Sequence, residues 1–284
     1  MVPVRIMTDS SAYLDAACVA QNQITVLPVE MKFGEKRFVI GPDYDKTELF
    51  QFLSAGPAQP ASATVPQKAF EEAFDRLNRV TDDILVLTSS SKLSGAHANA
   101  QRAARGFMGR CRITVMDSMS TSWALGLVVR TAAETATKGH SLEAIVRLVR
   151  GLLPHLYVVF YLERLDFLEL GGRIGVAQAL LGTILRIKPI LLLEEGEIVP
   201  LEKVRTRAAA IDKLSDFVAE FARVQDVVIL SSSVNGSTSD ALEELSGQLG
   251  EVVPGGAFPI IQYDPVMACH LGPEAVGVTV FEGL

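Results

Sequence analysis

Three short apolar runs are each followed by a segment rich in hydroxyls and carboxylates. Val4–Met7 leads into Thr8-Asp9-Ser10-Ser11, Ile84–Leu87 into Thr88-Ser89-Ser90-Ser91-Lys92-Leu93-Ser94-Gly95, and Ile113–Met116 into Asp117-Ser118. In an open parallel sheet such strand ends share one rim, and ligands bind in the crevice outside it. Each segment also feeds a helix N-terminus, where exposed amides and the helix dipole favour negative charge. Taken singly, each has the composition of a helix cap, because Ser, Thr and Asp are the preferred capping residues. Taken together on one rim, they predict an anion site. Ser94-Gly95 is its sharpest element: glycine permits close backbone approach, and Ser94 offers a hydroxyl and an N–H. Asp9, Ser10 and Ser118 are candidate ligand-loop residues on the same grounds.

Phosphate sites usually recruit Arg or Lys beside the backbone amides. Here Lys92 is the only cation in the three segments, and neither a GxxxxGK loop nor a GxGxxG turn occurs. Hydroxyls and amides with little fixed charge suit a monoanionic carboxylate better, and no cofactor is expected. Ser94 as a nucleophile would need a base, an orienting group and an oxyanion hole, and it lacks a GxSxG elbow. Asp9 and Asp117 could instead serve acid–base or metal chemistry, or simply fix loops by accepting backbone hydrogen bonds. Of the four histidines, His97, His140 and His155 read as surface or packing residues. His270 lies in Cys269-His270-Leu271-Gly272-Pro273, a turn by its composition, where an imidazole could donate to a carboxylate; a structural role is equally open. Arg173 follows Gly171-Gly172 and must be exposed or paired. The cations of Lys203-Val204-Arg205-Thr206-Arg207 oppose the dipole of the helix they begin, so they face solvent or an acidic or phosphorylated partner.

The elements that must position these residues can be read from periodicity. The chain of 284 residues is 49% hydrophobic and 21% charged, which suits two domains with substantial cores. Its formal net charge of −7 excludes a nucleic-acid binder and gives no attraction to anionic lipid. Three isolated cysteines fit a reducing, cytoplasmic setting, and no secretory signal is read at the N-terminus. The mean hydropathy of +0.28 is high, but the most apolar stretch, Leu152–Leu162, is interrupted by Pro154 and His155 and is too short to span a membrane. The three apolar runs read as buried parallel strands. Amphipathic helices are predicted over Tyr13–Gln21, Lys46–Ala55, Pro66–Arg79, Ser94–Phe107, Ser122–Lys138 and Ser141–Gly151. The N-terminal domain, residues 1–152, is therefore expected to be a doubly wound α/β sheet. In residues 153–284 strands are expected at Leu156–Tyr161, Ile187–Leu193, Ile198–Val204, Val227–Leu230, Phe258–Gln262 and Val276–Phe281. Helices are expected over Thr206–Val224 and Ser239–Leu249, giving a mixed α/β domain.

The ordered set Thr8-Asp9-Ser10-Ser11, Ser90 through Gly95, Asp117-Ser118, Leu168 through Ile174, Ile187 through Leu191, Lys203 through Arg207 and His270 through Pro273 resembles the DegV family over nearly the whole chain. The best understood members of that family are the fatty-acid-binding subunits of a bacterial two-component fatty acid kinase. The resemblance implies two α/β domains with a long-chain fatty acid between them, its tail covered by the C-terminal domain. It also implies a carboxylate site on Ser94, Gly95 and His270 with a hydroxyl from the Ala61–Pro66 segment, Thr64 in preference to Ser62. Arg173 and Arg205 would face a partner kinase that supplies catalysis, and transient contact with a membrane surface would load the lipid. The rivals are a stand-alone phosphotransferase or hydrolase using Asp, Ser and His residues, and a carrier of another amphipathic acid. Three departures from the family pattern stand out: Ala61–Pro66 stands where the family often has Thr-Ser-Gln-Pro, Leu271 and Glu274 replace Thr and Gly, and Glu35–Asp45 fits poorly.

Overall fold

The computed structural model describes residues 3–41, 44–55, 62–170, 187–232 and 239–283. The chain divides into two compact units, Met1–Asp45 with Pro60–Pro154, and Lys46–Gln59 with His155–Leu284.

The first unit contains β1 (Arg5–Asp9), α1 (Ala16–Gln21), β2 (Thr25–Leu27), β3 (Val29–Phe33) and β4 (Lys36–Ile40). After α2 (Thr47–Ser54), which groups with the second unit, come β5 (Ser62–Thr64), α3 (Gln67–Leu77), β6 (Asp83–Thr88), α4 (Ala96–Arg105), β7 (Arg112–Asp117), α5 (Ser122–Thr137) and α6 (Leu142–Leu152). The expected apolar strands are β1, β6 and β7. With β2 they form a parallel sheet in the order β2-β1-β6-β7. Ile84 through Leu87 have no exposed surface, as a strand covered on both faces requires. Each apolar strand is succeeded by a helix at its expected place, and α5 packs on β1 while α4 packs on β7.

A second, antiparallel sheet in the order β4-β3-β5 was not expected from the sequence. Strand β3 is half-buried, with Val29, Met31 and Phe33 inward and Glu30 and Lys32 outward, the period of two that a one-sided sheet requires. The β3–β4 turn places Gly34 at φ +58°, and the Phe33 and Phe38 rings meet edge-on at 5.8 Å.

The second unit adds β8 (Leu156–Tyr161), α7 (Asp166–Leu170), β9 (Lys188–Glu194), β10 (Glu197–Val204), α8 (Arg207–Ala219), β11 (Asp226–Ser231), α9 (Ser239–Val252), β12 (Ile260–Gln262), α10 (Pro265–Leu271) and β13 (Val276–Phe281). Its mixed sheet runs β10-β9-β8-β13-β11-β12, and only β11 and β12 pair in parallel. Strands β9 and β10 pair as an antiparallel hairpin that closes through Glu195 and Gly196, both at positive φ. Thr206 caps α8, its hydroxyl accepting from Ala209 N–H at 3.2 Å. The core gathers Val159, Ile190 and Val278 from the sheet with Ile211, Leu214 and Leu245 from α8 and α9. Two expectations change here. The long helix stops at Ala219, short of Val224, and His270 lies on a helix, α10, rather than in a turn. Among the described residues no helix is long and apolar enough to cross a membrane.

Candidate functional site

Strand order fixes where a ligand crevice can form. From β1 the chain moves outward to β2 on one side, and from β6 outward to β7 on the other. The loops after β1 and β6 therefore diverge, which is the switch point of an open parallel sheet. Asp9 sits there with no exposed surface. One of its oxygens accepts from Ser11 N–H at 3.0 Å and from the Ser11 hydroxyl. The other accepts from Ser89 N–H at 2.9 Å and the Ser89 hydroxyl at 3.1 Å. Both oxygens are thus engaged by the fold, and Asp9 clamps the two diverging loops together. Ser10 is engaged too: its hydroxyl donates to Ile40 O and accepts from Val29 N–H at 3.0 Å, joining the rim to the antiparallel sheet.

The third loop backs the second. Asp117 accepts from Ser91 N–H at 3.2 Å and from Met119 N–H at 2.8 Å. Ser90 N–H donates to Ser120 O at 2.8 Å, and the Ser118 hydroxyl exchanges hydrogen bonds with Ser120 N–H and Ser120 O, both at 3.1 Å. Asp9, Ser10 and Ser118, expected as possible ligand-loop residues, are all used to fix the loops.

So supported, the segment Ser90–Gly95 turns back on itself. Leu93 and Ser94 donate their N–H groups to Ser90 O at 3.0 and 2.9 Å. The Ser94 N–H is therefore directed inward, and the hydroxyl is what this residue presents at the start of α4, where it accepts from Ala96 N–H at 3.2 Å. Ser94 is buried and Gly95 exposed. Thr64 lies beside them: a Cβ on Gly95 would stand 3.4 Å from Thr64 Oγ1. Thr64 ends β5, which pairs with β3 through the Lys32–Ser62 and Glu30–Thr64 positions. The adjoining Val65 carbonyl accepts from the Asn99 amide of α4 at 2.7 Å, which fixes the strand end to that helix. The structure thus brings Ser94, Gly95 and Thr64 together at one helix N-terminus, with Ser62 two residues away on the same strand. His97 faces Thr88 Oγ1 at 3.3 Å and the Gln101 amide at 2.9 Å, an anchor between α4 and β6.

His270, in the second unit, is 5% exposed on the last turn of α10. Asp264 begins that helix and accepts from Met267 N–H at 3.1 Å. Burial pushes the neighbouring Cys269 thiol well up, which makes it inert as a nucleophile. Burial also lowers the Lys46 ammonium, against the pull of Asp264. Glu163 pairs with Lys188 and with Arg207, the latter at 3.0 Å. Burial alone would raise its carboxyl, but the hydrogen bonds and charges of those two cations outweigh it and hold the group below the usual range. Glu274, the acidic departure at the His270 segment, is exposed. Burial alone would lower the Arg207 guanidinium, but Tyr161, the hydrogen-bonded Glu163 and, least, Glu274 outweigh that and raise it. Arg205 is exposed on the approach to α8, and Arg173 lies outside the described residues. Among the described residues no group of three His, Cys, Asp or Glu side chains is arranged to hold a metal. Sequence reasoning passes over Glu163, Tyr263 and Ser232; none has a local motif, Glu163 and Ser232 act on segments distant in the chain, and Tyr263 reaches across the intervening helix α10 to Gly272.

A family model described as "Uncharacterised protein, DegV family" matches residues 3–283. A DegV domain-containing protein of Streptomyces coelicolor is 35% identical over 280 residues, 98% of each chain. The solved structure of a DegV family protein from Thermus thermophilus, described by its fatty acid binding, is 28% identical with a TM-score of 0.84, and the alignment covers 99% of this chain and 100% of that one. The fatty acid kinase (Fak) B3 protein of Streptococcus pneumoniae, solved loaded with linoleic acid, shares the fold at a TM-score of 0.80 and 18% identity, again over 99% and 100% of the two chains. A parallel sheet clamped at its switch point, a Ser-Gly pair set against a threonine at a helix start, and a mixed second sheet lie within the extent matched by these proteins, and the chain belongs to the DegV family.

Proposed function

We propose that this protein binds a long-chain fatty acid and presents its carboxylate to a separate kinase. The observation that carries this is the cluster of Ser94, Gly95 and Thr64 at the N-terminus of α4. Hydroxyls there give a monoanion short donors, the helix amides add partial positive charge, and the glycine lets the head group approach the backbone. The fatty acid bound by the Thermus thermophilus relative supports the ligand class. Ser62 and His270 are assigned to the same head group from the resemblance.

Burying the tail contributes about 0.8 kcal/mol for each methylene withdrawn from water. A head group held by hydroxyls keeps its oxygens nucleophilic. One of them would attack the terminal phosphorus of a nucleoside triphosphate on the kinase, forming the acyl phosphate as the diphosphate leaves. The protein's own part is to bind, orient and shield. Asp9 and Asp117, the carboxylates a stand-alone enzyme would need, are occupied by backbone and hydroxyl donors. Arg173 and Arg205 are assigned to the kinase contact, and brief contact with a membrane surface to loading.

Ser94→Ala removes one hydrogen bond to a charged group, about 1.5–3 kcal/mol, so fatty acid affinity should fall about 10- to 100-fold, while loss of the acceptor for Ala96 N–H costs only about 1 kcal/mol of stability and leaves the protein folded. Titration calorimetry with oleic acid checks this. Unaltered affinity would remove Ser94 from the site and with it the proposed position of the head group.

A further inference from the structure

Just past His270, two buried hydroxyls grip two successive carbonyls. Tyr263, 1% exposed and next after β12, donates through its phenol to Gly272 O at 2.6 Å. Ser232, next after β11, donates to Pro273 O, and its own carbonyl accepts from the Gln262 amide at 2.6 Å. Gly272 adopts φ +82°, and a Cβ there would lie 2.8 Å from the Phe167 ring of α7. The end of α10 is therefore held from three directions: by the ends of β11 and β12, by α7, and by the glycine's own left-handed turn. His270 is two residues before this grip. Holding the helix end holds the His270 backbone, and burial restricts the side chain it carries. Burial raises the Tyr263 phenol, so it stays protonated and remains a donor.

We propose that Tyr263, assisted by Ser232, is a positioning residue for His270: the two hydroxyls fix the helix end so that the imidazole is oriented before a ligand arrives. The consequence for ligand affinity rests on the assignment of His270 to the carboxylate; the grip itself does not.

Two measurements on the full-length Tyr263→Phe protein separate the points. Hydrogen–deuterium exchange should speed up about 5- to 10-fold across 268–275 and stay unchanged in the β1–β6–β7 sheet, since one buried hydrogen bond is lost locally. Unchanged exchange there would overturn the grip. Affinity for oleic acid should fall about 5- to 10-fold while affinity for oleyl alcohol, the same tail without a carboxylate, changes less than about 2-fold. In a His270→Ala background the Tyr263→Phe change should add no further loss. Equal losses for acid and alcohol, or full additivity with His270→Ala, would overturn the positioning role and leave Tyr263 as packing. If His270→Ala itself binds oleic acid normally, the head-group assignment fails, and the exchange measurement still decides the grip. Ser232→Ala is expected to give the same pattern and replaces Tyr263→Phe should that variant not fold.

Discussion

Replacing Asp9 by asparagine is expected to destabilise the first unit by about 3 kcal/mol and to lower its unfolding midpoint by about 8 °C, although the two side chains are nearly isosteric. The Asp9 carboxylate is buried and receives an N–H and a hydroxyl on each oxygen, from Ser11 and from Ser89. Asparagine keeps one such oxygen. Its amide group would face two donors where an acceptor is required, leaving Ser11 or Ser89 unsatisfied in the interior. The loss falls on the contact that joins the loops after β1 and β6, so the Ser90–Gly95 segment should also loosen. Thermal unfolding followed by circular dichroism at neutral pH checks this. A midpoint within about 2 °C of the parent would mean that the clamp contributes little.

Gly126→Ala should be destabilising by about 3 kcal/mol, against the usual sign for this change. In the middle of a helix, alanine is normally favoured over glycine by about 1 kcal/mol. Here a Cβ on Gly126 of α5 would stand 2.1 Å from the Tyr13 carbonyl oxygen and 2.9 Å from its carbonyl carbon. Those are backbone atoms, held in place because Tyr13 N–H donates to Ser122 O at 3.0 Å. Neither side can yield without displacing the segment after β1, so overpacking outweighs propensity. The sign makes this easy to judge by thermal unfolding: a midpoint above the parent's would show that the Ala12–Tyr13 segment does not press on α5.

How much of the fold and the site is legible in the chain depends on the range of the interactions. Ile84–Leu87 and Val4–Met7 announce themselves because a strand covered on both faces must be continuously apolar. The β3–β4–β5 sheet does not, because its strands are short, β3 and β4 carry charges, and the sheet is stabilised by backbone pairing between residues as distant as Lys32 and Ser62. Helix α10 reads as a turn in the sequence because seven residues span too little of a helical period to register, while Gly272-Pro273, its stop signal, dominates the local composition. At the site, Ser94-Gly95 is visible as a hydroxyl and a glycine before a helix. That Thr64 stands against Gly95 requires β5 to be paired and Asn99 to reach Val65. Asp9 looks like a cap or a ligand; its bond to Ser89, 80 residues away, makes it a clamp. Tyr263 carries no signal at all, because a tyrosine after a short strand acquires meaning only when the carbonyl it reaches is known.

The central claim is that this protein holds a fatty acid. It is tested most directly by denaturing mass spectrometry of an organic extract from the freshly purified full-length protein. A fatty acid in about equimolar amount, retained in the parent and depleted in Ser94→Ala, is the predicted result. An extract without fatty acid, from a protein that also takes up none from an added mixture, would contradict it.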